Sequence, residues 1–326
     1  MTRALPPLSD RPRRRLPPAA GLLALVLTAG CGSGAGGDDA PARSSGPSGG
    51  PGATSSVDPQ QPATGRAAFA ALEERYAARV GVVAIDTATG ETLAHRADER
   101  FPYASTVKAL AAAVLLDRTT PSQLERVVPV RRTDLVEYSP VVEQRVGRGL
   151  TLGAAAEAAV RVSDNTAGNI VLEAIGGPDG LRRALRGLGD RVTDPRRTEP
   201  ALNRFEPGDD RDTTTPRALA TTLRTLAVDD TLAPADRRLL LRWMSGNETG
   251  DTLVRAGVPD DWAVADKSGS GATYAARNDV AVVTPPGRAP VVVAVLTRSE
   301  DIDAVARDAL VAAAAGVVAR GLGEAD

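Results

Sequence analysis

Apolar residues recur along the chain in two periods. Over residues 67–80 they fall at helical spacing (Phe69, Leu72, Tyr76, Val80), which predicts a helix. The next stretches, "VGVVAID" and "ETLAHRA", are joined by the turn "TATG" and predict two short strands. A long helical region follows, with helices predicted at 105–116, 151–162, 165–175, 179–188, 216–228 and 234–244. Three late strands, "WAVADKSGS", "NDVAVVTP" and "APVVVAVLT", precede a last helix predicted over 301–319. Strands at both ends with helices between predict an α/β (α+β) fold. An antiparallel five-stranded sheet flanked by helices packs beside an all-helical lobe, with the active site in the cleft between them.

The N-terminal pattern is different. "RPRRR" precedes an apolar run, "AAGLLALVLTA", that is too short to span a bilayer, so residues 1–30 read as an export signal. The run ends in "LTAGC", and small residues before a cysteine resemble a lipoprotein signal in which Cys31 is acylated. Thr28 stands where such signals usually carry Leu, and plain secretion with cleavage near Ala35 is the competing reading. Residues 31–65 are Gly, Ser, Pro, Ala and Asp with hardly a large apolar side chain, the composition of a flexible tether. The folded domain is expected at 66–326. The resulting location is the outer face of the cell membrane through a lipid anchor, or the medium.

Composition narrows the chemistry. A net charge of -2 gives no reason to expect a nucleic-acid partner. One histidine, His95, leaves little scope for a Ser-His-Asp triad or a multi-His zinc site, and its place beside "RADERFP" suits a strand end. One cysteine excludes an intramolecular disulfide and a Cys-ligated metal. No metal or cofactor is expected, so hydrolytic chemistry must run on Ser, Lys, Glu, Asp or Tyr. Of 39 basic residues only Lys108 and Lys267 are lysines. An ammonium can lose its proton where a guanidinium cannot, so a position that keeps Lys among so many arginines is a candidate for proton chemistry.

Four elements carry candidate chemistry. "ASTVKAL" places Ser105 at the start of a helix, where Ser is ordinarily a cap, with Lys108 one turn on and on the same face. "SDN" (Ser163 to Asn165) lies between two apolar helical segments, a junction that Ser and Asp would also cap. "DKSGSG" puts Lys267 at a strand end followed by Ser268, Gly269 and Ser270, where small residues let a ligand approach the backbone, or form an ordinary turn. "RTEPALN" followed by "FEPGDDRDTTTP" carries Glu199 and Asn203 on a loop rich in Pro and charge.

In this order and spacing the four elements resemble the class A serine β-lactamases over residues 67–321. S-x-x-K, S-D-N and K-[ST]-G are shared with penicillin-binding proteins, whereas "EPALN" and "RDTTTP" are more specific to class A. The resemblance implies a β-lactamase/transpeptidase-like fold and the following roles. Ser105 is the nucleophile, and either Lys108 or Glu199 acting through a water takes its proton. Glu199 with Asn203 holds the water that hydrolyses the acyl-enzyme. Ser163 relays a proton to the lactam nitrogen, helped by Lys267, whose charge also attracts the substrate carboxylate. Asn165 binds the acylamido side chain, Tyr138 walls the cleft, and Ser268, Gly269 and Ser270 line it. The backbone N–H groups of Ser105 and Ser270 form the oxyanion hole. Arg197 and Asp212 brace the Glu199 loop, and Asp164 ties the helix junction together. "GATYAARND" is one residue longer than usual, and with that insertion Arg277 falls where many members carry an arginine for the substrate carboxylate. The implied partner is a small β-lactam, and nothing suggests more than a monomer. Two other functions stay open: a D-Ala-D-Ala peptidase or penicillin sensor, which has no need of Glu199 with Asn203, and a binding module that has lost catalysis.

Overall fold

The computed structural model describes residues 63–323. The expected export signal, Cys31 and the linker up to residue 62 lie outside them. The first helix, α1 (Ala63–Tyr76), starts inside the expected linker and ends before Val80. Ala77 takes a left-handed φ of 48°, and the Glu73 carboxylate accepts the Val80 N–H at 2.9 Å, so the chain leaves the helix and enters a strand. Val80 belongs to that strand rather than to the helix.

Five strands form one sheet: β1 (Arg79–Asp86), β2 (Thr92–His95), β3 (Ala263–Ser270), β4 (Arg277–Thr284) and β5 (Val291–Arg298). Their spatial order is β2-β1-β5-β4-β3, with every pair antiparallel. β1 and β5 are apolar without interruption because both faces of the sheet are covered. Val83, Ile85, Val292, Ala294 and Leu296 point into the core shared with the helical lobe, while Val82, Ala84, Val293 and Val295 pack under the terminal helices. The last helix, α8 (Asp308–Gly323), begins seven residues later than expected. Its first residue, Asp308, accepts from Arg277 and Thr252, a tertiary anchor that fixes where the helix starts.

The lobe contains α2 (Val107–Arg118), α3 (Leu152–Arg161), α4 (Asn165–Ala174), α5 (Gly177–Gly187), α6 (Pro216–Ala227) and α7 (Pro234–Ser245). In α2 every residue from Val107 to Leu116 is buried, including Lys108, so this helix is packed on all sides, as its apolar "ALAAAVLL" requires. Asp164 caps α4 by accepting the Ala167 N–H at 2.8 Å, and its other oxygen accepts from Val141 and Val142. Its place at the helix junction is therefore the structural one expected.

Candidate active site

Ser105 does not sit in the first turn of the α-helix. It occupies a 3-10 turn, Ala104–Thr106, entered through a left-handed Ala104 (φ 48°) and leading into α2. β3 runs directly against this turn. A Cβ on Gly269 would lie 3.0 Å from the Tyr103 carbonyl oxygen and 3.1 Å from the Thr106 nitrogen, so only glycine lets the strand approach the nucleophile so closely. The "KSG" run thereby borders Ser105.

Glu199 lies at the centre of the site. Its Oε1 accepts from Ser105 Oγ at 3.4 Å and lies 3.0 Å from Lys108 Nζ. Its Oε2 accepts from Asn203 Nδ2 at 2.5 Å. Lys108 Nζ also donates to Asn165 Oδ1 at 2.6 Å and to the Ser163 carbonyl at 2.7 Å, with Ser163 Oγ at 3.4 Å. Three N–H donors thus meet three close acceptors, the arrangement of an ammonium. Burial lowers the Lys108 pKa from its ordinary value, and the Glu199 charge opposes that shift. Ser163 sits between α3 and α4 at a positive φ of 58°, a conformation that a non-glycine residue holds only when its surroundings impose it.

Lys267 is fully buried, and its Nζ donates to the Ser268 carbonyl at 2.7 Å. Its pKa is lowered to about 7, first by burial and then by the charge of Lys108. Ser268 Oγ shares a 2.6 Å hydrogen bond with Thr249. Tyr138 is exposed, with a positive φ of 59°, and its carbonyl accepts the Asn165 N–H at 2.9 Å. Ser270 lies at the end of β3 opposite Arg277 on β4. The Arg277 guanidinium is engaged by Asp308 through Nε (2.6 Å) and Nη2 (3.3 Å). It is therefore an ion-paired residue rather than a free cation at the strand end.

The loop carrying Glu199 is held at several points. Arg197 Nε donates to Asp212 Oδ2, and Arg197 Nη2 donates to the Arg204 carbonyl at 2.7 Å. Asp212 Oδ1 accepts from Tyr103 OH at 2.7 Å, and burial together with this carboxylate pushes the phenol pKa up, keeping it a donor. Asn169 was not foreseen from sequence. Its Nδ2 donates to the Glu199 carbonyl at 3.0 Å, and its Oδ1 accepts the Glu199 N–H at 2.8 Å, so one side chain clamps both backbone groups of Glu199. The available signal was a polar residue one turn after Asn165 on a buried helix. Thr249 had no such signal. A cleft of about 610 Å³ between the end of α1, the start of β1 and segment 299–310 contains none of these groups. Converging chemistry, and not volume, marks the site.

The sequence model of the beta-lactamase enzyme family matches residues 65–320. A β-lactamase of Amycolatopsis lactamdurans is 54% identical over 255 residues, covering 78% of this chain and 84% of that protein. The β-lactamase AST-1 of Nocardia asteroides is 46% identical, with coverage of 99% of this chain and 100% of its own. Among solved structures, a class A β-lactamase from Clostridium kluyveri superposes with a TM-score of 0.78 at 44% identity, covering 79% of this chain and 98% of that one.

Proposed function

This chain belongs to the class A β-lactamases of the beta-lactamase enzyme family, and from that premise we propose that it hydrolyses the β-lactam amide of penicillins and some cephalosporins through an ester on Ser105. The observation that carries the reading is the Glu199 carboxylate, which reaches Ser105, Lys108 and Asn203 at once.

Ser105 Oγ attacks the lactam carbonyl carbon while its proton passes to Glu199, directly or through one water. Lys108, already an ammonium with its donors occupied, accepts no proton until it has given one up. Backbone N–H groups of Ser105 and Ser270 hold the oxyanion, a contribution of roughly 3–4 kcal/mol per donor in serine hydrolases. The C–N bond then breaks, and the nitrogen takes the Ser163 Oγ proton. Ser163 is resupplied along Glu199, Lys108 and Ser163, with steps of 3.0 and 3.4 Å. A water held by Glu199 and Asn203 gives its proton to Glu199, attacks the ester carbon and frees Ser105. Asn203 Oδ1 is buried without a protein partner and suits that water as a second acceptor. Asn165, Tyr138, Ser268 and Gly269 line the substrate. Lys267 binds the substrate carboxylate, and Arg277, opposite Ser270 at the strand end, assists.

The Lys267 role has a pH consequence. With its pKa lowered to about 7, the free protein has Lys267 charged below that pH and neutral above it. Since an anion binds the ammonium form, kcat/KM for benzylpenicillin should fall as pH rises past about 7, by up to about tenfold per pH unit. Initial rates between pH 6 and 9 test this, and a flat profile contradicts it. Stability moves the other way. The unfolded chain keeps its Lys267 proton up to the ordinary value of 10.5, so this residue's burial penalty is full below about 7 and shrinks as pH rises.

Residues 1–30 serve as the export signal, residues from 31 up to the start of α1 as the tether and the rest as the catalytic domain, with a lipid on Cys31 holding the protein to the outer face of the membrane. Cys31→Ser should move the protein from the membrane fraction to the medium, and unchanged fractionation would leave plain secretion. One chain supplies every group of the site, so a monomer suffices. The function itself is tested by incubating the purified protein with benzylpenicillin. Catalytic gain of one water per drug molecule supports it, whereas one equivalent consumed and then silence supports the peptidase or sensor reading.

A further inference from the structure

The chain contains only three phenylalanines, and two of them meet around one cation. Arg298, the last residue of β5, places its guanidinium carbon 5.9 Å from the centre of the Phe101 ring and 5.7 Å from that of Phe205. Both distances are within cation–π range. Arg298 Nη2 donates to Glu99 at 3.1 Å, but its Nε is buried without an acceptor, so the rings as well as hydrogen bonding fix this side chain. Phe205 is buried and meets Tyr274 edge-on, with centres 5.5 Å apart at 82°. Tyr274 lies in the β3–β4 turn, whose Ala272 N–H donates to the Asn203 carbonyl at 3.0 Å and whose Thr273 hydroxyl donates to the Phe205 carbonyl at 3.3 Å. The turn is itself fixed from behind. Ser299 N–H donates to the Tyr274 carbonyl at 2.6 Å, and Tyr274 N–H donates to the Ile302 carbonyl at 3.0 Å.

We propose that Phe205, gripped by Arg298 and Tyr274, is a positioning residue that holds Asn203 and Glu199 in register for hydrolysis of the Ser105 ester. The inference rests on the acyl-enzyme reading above. Phe205 stands two residues after Asn203, whose amide meets Glu199 Oε2 at 2.5 Å. Arg197 and Asn169 tie the loop to itself and to α4, whereas the Phe205 stack ties it to the sheet that carries Lys267 and Ser270. Removing the ring leaves the 203–205 segment on its backbone hydrogen bonds alone, and a displacement of about 1 Å at a water-positioning group costs on the order of a hundredfold in rate. The displacement falls on Asn203, which serves only the hydrolytic water, whereas Glu199, the base for attack by Ser105, stays clamped by Asn169 and paired with Lys108, so attack keeps its base. Attack should be spared.

The test uses Phe205→Leu, which keeps apolar bulk but removes the ring, Phe205→Tyr, which keeps the ring, and Arg298→Gln, which removes the cation and can still donate to Glu99. Rapid-quench mass spectrometry with benzylpenicillin gives acylation and deacylation rates separately. In Phe205→Leu and Arg298→Gln, deacylation should slow at least tenfold while acylation stays within about twofold, so kcat and KM fall together and kcat/KM holds. Phe205→Tyr should restore the parent rates. Parent-like deacylation in Phe205→Leu and Arg298→Gln overturns the proposal, as does a proportional loss of both half-reactions in these variants, which marks a merely structural role. If Phe205→Leu does not fold, Arg298→Gln decides alone. The parent protein is measured first, because a parent that never forms or never releases an ester overturns the underlying reading instead.

Discussion

Glu199→Ala should trap the protein as a Ser105 ester, with release slowed by about 10²–10⁴-fold and acylation far less affected. Both halves of that expectation come from the hydrogen bonds of one carboxylate. Release loses the base and the group that, with Asn203, positions the water. Attack keeps a substitute base. The Glu199 charge is the main influence holding the Lys108 pKa up against burial, so without it Lys108 deprotonates more readily and takes the Ser105 proton. The same neutralisation spares the variant the roughly 3–5 kcal/mol that follows when one partner of a buried ion pair is left charged and alone. Intact mass during turnover reports the trapped adduct, and undiminished steady-state hydrolysis would falsify the role of Glu199.

Lys108→Arg should abolish acylation, by about a thousandfold or more, although the formal charge is kept. The proton path from Glu199 to Ser163 passes through a group that must give up a proton and regain it, and a guanidinium does not. Space also forbids the exchange. The side chain is only 3% exposed, and a Cβ added to Gly168 would come within 2.9 Å of Lys108 Cε, so the broader guanidinium has to displace either α4 or Glu199. Near-normal burst kinetics in this variant contradict the path. Arginine here therefore differs from arginine at the chain's many exposed basic sites, and that difference accounts for Lys108 among 39 basic residues.

Features set by local pattern were legible from sequence. β1 and β5 were visible as β-branched runs because both faces of the sheet are buried, and α2 as an apolar helix because the lobe surrounds it. The resemblance of Ser105, Lys108, "SDN", "EPALN" and "KSG" to the class A motif set implied one site, and Glu199 lies beside Ser105 and Lys108. Features set by distant partners were not legible. The start of α8 depends on Arg277 reaching Asp308 across 31 residues, which no periodicity in 301–319 records. The same contact pairs Arg277 with Asp308, a partner that the resemblance did not imply. Ser105 sits in a 3-10 turn because Ala104 is left-handed, and alanine gives no warning of that. Asn169 acts on the backbone of Glu199 thirty residues away, so a helix-interior Asn carried no visible assignment.

The most direct test of the account is time-resolved intact mass of the full catalytic domain with excess benzylpenicillin, followed by peptide mapping of the adduct. The account predicts a transient one-to-one ester on Ser105 that decays to the unmodified mass while the drug gains water catalytically. A stable ester with negligible drug consumption, or hydrolysis with no adduct on Ser105, would contradict it.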